Sequence, residues 1–213
     1  MPDDYLMHYG VKGMRWGVRR TPEQLGHIKI PKNAIHKNLD KFGIDPNHNV
    51  CYIMGVSGSG KSTIARNNKT KNTNVIHLDA YIDGTGAPKS KDFNAFLQKN
   101  GMHHTDVNKA VRSGRWDKVD KFEKLIDEFG KQQWSKKKRV ICEGVQLMDD
   151  TLHPNKSYFK NKPYVVLRTS SLVSTFRGNQ RDSKKINIIE DVQGILRSRK
   201  LMSNLLQKMK GDA

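Results

Sequence analysis

The 213-residue sequence predicts a three-layer α/β fold with a mainly parallel sheet. Three observations carry that expectation. Four short apolar runs are spread along the chain, each ending in a polar or glycine residue. A Gly-x-x-x-x-Gly-Lys-Ser segment separates the first run from a helix-opening sequence. A stripe of apolar residues at helical spacing lies between the second run and the third.

In chain order, residues 1–44 come first and differ from the rest, with glycines at 10, 13, 17 and 26, basic residues at 12, 15, 19 and 20, and little apolar periodicity. They are expected to form a basic, glycine-rich appendage, with residues 45–213 as the folded domain. After Pro46, Val50-Cys51-Tyr52-Ile53-Met54 is an unbroken apolar run ending at a glycine, the pattern of a strand buried on both faces. Gly55 to Gly60 then reads as a loop, and Ser62 to Arg66 as the opening of a helix. The second run, Val75 to Leu78, ends at Asp79. The third, Val140 to Cys142, ends at Glu143-Gly144, and the fourth, Tyr164 to Leu167, ends at Arg168. In parallel α/β sheets ligands gather at the C-terminal ends of strands, which is where these polar residues fall. Val119, Phe122, Ile126 and Phe129 place an amphipathic helix over 116–132. Ile188, Val192, Ile195, Met202, Leu205 and Met209 form a looser stripe of the same kind, and both stripes are read as core packing.

No run approaches the roughly 18 apolar residues of a membrane span, and the expectation is a soluble, cytosolic protein without a membrane partner. Cys51 and Cys142 sit inside apolar runs and are read as small buried hydrophobes rather than a disulfide, on strands that become neighbours if the strand order is the usual one for such sheets. The formal net charge of +18 favours anionic partners such as nucleotides or nucleic acid. Residues 1–44 contribute +4 of it, with eight Lys/Arg against four Asp/Glu, so most of the charge belongs to the domain.

The glycine-rich segment carries the chemistry. Gly55, Gly58 and Gly60 let the backbone curl so that its N–H groups face phosphate oxygens, at the start of a helix whose dipole favours negative charge. Gly55, Ser57, Gly58, Ser59, Gly60, Lys61, Ser62 and Thr63 are the expected nucleotide-binding set, with Lys61 on the β- and γ-phosphates and the Ser62 hydroxyl on Mg²⁺. Asp79, after the second strand, is the candidate base for an acceptor hydroxyl, and Asp83 a candidate helper or a cap. Glu143, after the third, is expected to hold the metal's water shell. Arg177 and Arg181, four apart, share a helix face and are candidates to clamp the migrating phosphoryl, or a solvated pair in a basic chain. The cofactors these groups call for are ATP and Mg²⁺, within a P-loop NTPase fold.

Gly55 to Arg66, followed by Val-Ile-His-Leu-Asp-Ala-Tyr at 75–81, resembles the small P-loop kinases grouped around uridine kinase and adenylate kinase. The resemblance covers about residues 48–200. Val140 to Gly144 looks like the third-strand segment of those enzymes, and Arg177 to Asp182 like their arginine-rich lid. It implies an ATP-dependent kinase acting on a nucleoside, a nucleotide or a similar hydroxyl-bearing molecule. Two departures stand beside it: no fifth strand with an adenine-binding loop is recognisable after residue 182, and residues 84–132 carry no recognisable substrate motif. The segment His8-Tyr9-Gly10-Val11-Lys12-Gly13-Met14-Arg15-Trp16-Gly17-Val18-Arg19-Arg20 resembles a short module of phage and prophage head-region proteins. That resemblance implies a phage-encoded chain whose N-terminus meets a capsid or scaffold protein, in the host cytoplasm or on the virion. The competing readings are a polynucleotide 5′-hydroxyl kinase, a nucleotide-gated virion component with no acceptor, and a toxin that phosphorylates sugar nucleotides.

Overall fold

A computed structural model describes residues 28–83, 90–148, 159, 161–169 and 188–210, the last segment without its outermost side chains. Five strands form one mixed sheet: β1 (Ile35–Lys37), β2 (Val50–Met54), β3 (Thr73–His77), β4 (Arg139–Glu143) and β5 (Tyr164–Val166). Their spatial order is β1-β5-β2-β4-β3. The four strands β3, β4, β2 and β5 are parallel, and β1 joins the β5 edge antiparallel, Ile35 opposite Val166. Parallel neighbours need long crossovers. Helix α1 (Lys61–Asn67) links β2 to β3, and α2 (Leu78–Ile82), α3 (Lys91–Lys99), α4 (Asp106–Arg112) and α5 (Trp116–Ser135) link β3 to β4, while α6 (Ile188–Lys210) follows β5.

The sheet is covered on both faces, and strand alternation sorts its residues between them. Tyr52, Met54, Ile76, Val140, Cys142 and Val166 face a core built with Phe93, Leu97, Phe122, Ile126 and Phe129 of α3 and α5. Cys51, Ile53, Val75, Ile141 and Val165 face Ala65 of α1 together with Ile28, Leu39 and Phe42. All five residues of β2 are buried, as an unbroken apolar run requires of a central strand. Helix α5 packs close because Gly130 faces β2: a Cβ there would lie 2.3 Å from Val50 Cγ2. Asn49, fully buried before β2, donates its side-chain amide to the carbonyls of Gly130 at 2.6 Å and Lys138 at 2.9 Å, tying strand to helix.

Three sequence expectations are met differently by the fold, and a fourth, for the two cysteines, is met. The described part of the 1–44 segment is built into the domain, since it supplies β1 and the buried Ile28, Leu39 and Phe42. The second strand runs from Thr73 to His77, so Leu78 and Asp79 belong to α2 and not to the strand. Of the C-terminal stripe, Leu205 is buried and Met202 packs against the core, while Val192 is exposed. Strands β2 and β4 are neighbours, as the strand order required, but Cys51 pairs in register with Ile141 and faces one core while Cys142 faces the other. Both thiols are free and on opposite faces of the sheet. Among the described residues no helix is long and apolar enough to cross a membrane.

Candidate functional site

The glycine-rich segment leaves the C-terminal end of β2 and closes on itself before α1. The carbonyl of Val56 accepts the Ser59 N–H at 3.1 Å and the Lys61 Nζ at 3.1 Å, so the lysine is drawn into the loop. It is 6 % exposed, a depth at which an ammonium needs a polar cradle. Gly58 at φ +75° and Gly60 at φ +93° occupy the left-handed region that L side chains avoid, which lets the chain turn twice in three residues. A Cβ on Gly55 would come 2.5 Å from Ser59 Oγ and 3.2 Å from Leu167 Cβ, so the far side of the loop and the residue after β5 both crowd its start. Thr169 Oγ1 donates to the Ser59 carbonyl at 3.4 Å from the same direction.

Glu143 closes the site from the next strand. It ends β4, is 2 % exposed, and its Oε1 accepts a hydrogen bond from Ser62 Oγ at 3.0 Å. The same oxygen lies 2.5 Å from Nδ1 of His77, the last residue of β3 and its register partner. Oε2 is buried with no hydrogen-bond partner among the described residues. A buried carboxylate oxygen left without a donor is costly, and a cation or its bound water is the kind of partner that would satisfy it. Gly144 gives this corner room: a Cβ there would lie 2.8 Å from Leu78 Cβ, so α2 starts against the end of β4.

The structure therefore brings together the loop residues Gly55 to Gly60, Lys61, Ser62 and Glu143. Thr63, beside Ser62 in the first turn of α1, is exposed. Asp79 stands apart from them in one respect: it is exposed in the first turn of α2 and is not a strand-end residue. Helix α2 is anchored by Tyr81, which is buried and donates its hydroxyl to Asn94 Oδ1 at 2.6 Å, so Asp79 is carried on a fixed turn. Asp83 ends α2, its N–H bonded to the Asp79 carbonyl at 2.9 Å. Arg177 and Arg181 lie outside the described residues. His77 was missed by sequence reasoning. It is the residue before Leu78-Asp79, and its signal, a polar side chain two positions before a candidate base, is legible only once β3 and β4 are known to be adjacent.

The donor set fits Mg²⁺ bound with a nucleotide: one hydroxyl and one carboxylate in contact, the remaining positions being left to phosphate oxygens and water. Among the described residues no three His, Cys, Asp or Glu side chains converge into an all-protein metal cage.

A second polar cluster lies where the middle of α5 meets β2 and the residues before β5. Tyr52 Oη donates to Asp127 Oδ1 at 2.8 Å, and Lys162 pairs with Asp127 Oδ2 while its ammonium sits 5.4 Å from the Tyr52 ring centroid. Glu123, 7 % exposed on α5, has its carboxyl pushed up to about 8 by burial and by the charges of Asp120 and Asp127, against the opposing pull of Lys162. Burial also pushes the Cys51 thiol far up, and burial with the nearby Glu143 does the same to Cys142, so neither is a nucleophile.

Residues 1–23 match a family of unknown function, DUF7211. The match covers the His8 to Arg20 segment and leaves the α/β domain outside it. No curated protein and no solved structure matches the chain.

Proposed function

We propose that the chain is an ATP-dependent phosphotransferase of the P-loop kinase class, acting on a nucleoside, nucleotide or similar small hydroxyl acceptor. The observation that carries this reading is the Ser62–Glu143 contact at 3.0 Å beside the buried Lys61, in a loop between a central parallel strand and a helix. A glycine turn with an incidental lysine has no reason to bury that lysine or to hold the next serine on a strand-end carboxylate.

In this reading the N–H groups of residues 57–63 face the phosphates, and Lys61 leaves the Val56 carbonyl to contact them. Ser62 and Glu143 would hold Mg²⁺, which would supply positive charge to neutralise the phosphates. His77 fixes the Glu143 carboxylate. Asp79, exposed on the anchored α2, receives the proton of the acceptor hydroxyl. Arg177 and Arg181 are assigned the role of lid arginines by the sequence alone. The N-terminal segment is proposed as the docking module for a capsid or scaffold protein.

The test is ³¹P-detected turnover of ATP with Mg²⁺ against pools of nucleosides, nucleotides, sugar nucleotides and 5′-hydroxyl oligonucleotides, with Lys61→Ala and Asp79→Asn alongside. One pool phosphorylated by the wild type and by neither variant supports the kinase and names its acceptor. Nucleotide binding with no phosphorylated product in any pool would overturn the kinase reading in favour of a nucleotide-gated assembly component.

A further inference from the structure

The end of the sheet opposite the glycine-rich loop carries charge that the proposed catalysis does not use. Strands β3 and β4 begin there, side by side, with Thr73 opposite Arg139 and the Arg139 N–H bonded to the Asn72 carbonyl at 2.9 Å. The turn before β3 bears Lys69 and Lys71, and the turn before β4 bears Lys136, Lys137 and Lys138. Four of these are exposed and Lys138 partly so. Among the described residues none of the five ammonium groups is in an ion pair or side-chain hydrogen bond. Neither 46–78 nor 129–142 contains an Asp or Glu. The acids nearest in the chain are Glu143 and Asp79, at and beyond the far ends of β4 and β3, Glu128, two turns back on α5, and Asp45, whose carboxylate is taken by His48 at 2.6 Å; Asp92 lines the same cavity as Lys69.

Two further observations set this face apart from a general basic surface. Trp134, in the last turn of α5, is 40 % exposed although tryptophan is usually covered. Its carbonyl accepts the Lys137 N–H at 2.8 Å, so the ring's helix turn and the lysine turn are contiguous. Lys137 itself has φ +56°. The Lys138 N–H reaches back to the Gln133 carbonyl at 2.9 Å, which makes this a Schellman C-cap with Lys137 at the left-handed position where glycine is the residue of choice. A lysine kept where it strains the backbone is an outlier that asks for a functional reason.

We propose that this face, Trp134 with Lys69, Lys71, Lys136, Lys137 and Lys138, binds single-stranded nucleic acid, the lysines along the phosphates and the indole stacked on a base. Lysines alone would suit any polyanion; an exposed indole beside them favours unpaired bases, whose rings are free to stack. The face lies one strand length, roughly 16 Å, from the glycine-rich loop, so it is a separate site and does not depend on the kinase reading.

The experiment is fluorescence anisotropy of a labelled 20-nucleotide single-stranded DNA and RNA on the full chain, across a salt series, with polyglutamate and anionic vesicles as competitors. With about 0.7 counterions released per contact, Lys136→Ala/Lys137→Ala/Lys138→Ala is expected to lower the salt slope by about 2 and the affinity about 100-fold at 0.1 M salt. A charge-matched control on exposed lysines elsewhere, Lys109→Ala/Lys121→Ala/Lys124→Ala, is expected to change affinity less than threefold. Trp134→Ala is expected to weaken binding about tenfold with the slope unchanged. Lys137→Gly is expected to raise the melting temperature while weakening binding. Equal losses in the two triple variants, no effect of Trp134→Ala, or displacement by polyglutamate or vesicles as effective as by oligonucleotide would each overturn the proposal. Lys61→Ala leaves this binding intact, so the two readings fail separately.

Discussion

Replacing Gly130 by alanine sets two known effects against each other at the contact between α5 and the central strand. In an ordinary helix interior the change would stabilise by about 1 kcal/mol, because glycine is the poorer helix former. Here the added Cβ would stand 2.3 Å from Val50 Cγ2, more than an ångström inside ordinary contact. Val50 is buried in a central strand and has nowhere to go, so α5 must move, at an overpacking cost of about 1–3 kcal/mol. The movement also stretches the bond from Asn49 to the Gly130 carbonyl, 2.6 Å long and fully buried, whose weakening adds about 1 kcal/mol. The balance is a loss of about 2 kcal/mol, or about 4–8 °C in melting temperature for a chain of this size. Urea unfolding of wild type, Gly130→Ala, Val50→Ala and the double variant measures it. Val50→Ala alone is expected to cost about 2 kcal/mol through two lost methyl groups and the space they leave. In the double variant the new methyl occupies that space, so the expected loss is about 2 rather than 4 kcal/mol. A Gly130→Ala protein more stable than wild type, or a strictly additive double variant, would refute the close packing of α5 on β2.

Two other perturbations address the site and the buried carboxyl. His77→Ala is expected to weaken Mg²⁺-dependent nucleotide binding about tenfold, and His77→Asn, which keeps a donor near the Nδ1 position, to recover most of it; equal Mg²⁺ titrations for all three proteins would remove His77 from the site. Glu123 holds its proton in the folded chain up to pH about 8, but releases it near 4.5 when unfolded, so stability is expected to fall as pH rises between those values, by at most about 1.4 kcal/mol per pH unit. Glu123→Gln removes that slope and is expected to be the more stable protein at pH 8, and melting curves from pH 5 to 9 that show the same slope in both would contradict the assignment.

The elements that the sequence made legible are those where one physical signal acts alone. An apolar run bounded by glycine could only be the buried β2, and Val119, Phe122, Ile126 and Phe129 recur at a spacing that only a helix uses. The same holds for the glycine-rich loop with its lysine and serine, since their spacing is itself the geometry. Illegible elements depend on pairing across the chain. The three-residue β1 has no pattern of its own and exists because β5 offers an edge. Leu78 looks like a strand residue because it is apolar and follows Val75 and Ile76, but it is buried as the first residue of α2. The His77–Glu143 contact joins residues 66 apart and needs β3 and β4 in register. Lys137 hid a helix end because the sequence signal there is glycine, and the chain uses lysine.

The central claim, that the loop between β2 and α1 together with Glu143 binds a nucleoside triphosphate with Mg²⁺, is tested most directly by calorimetric titration of ATP with and without Mg²⁺. Wild type, Lys61→Ala and Glu143→Gln are measured side by side, with melting curves to confirm that each is folded. The account expects wild-type binding strengthened by Mg²⁺, a loss of about 100-fold or more in Lys61→Ala, and a Glu143→Gln protein that still binds ATP but gains little from the metal. Folded wild-type protein that binds no nucleotide, or binding that Lys61→Ala leaves unchanged, would contradict it.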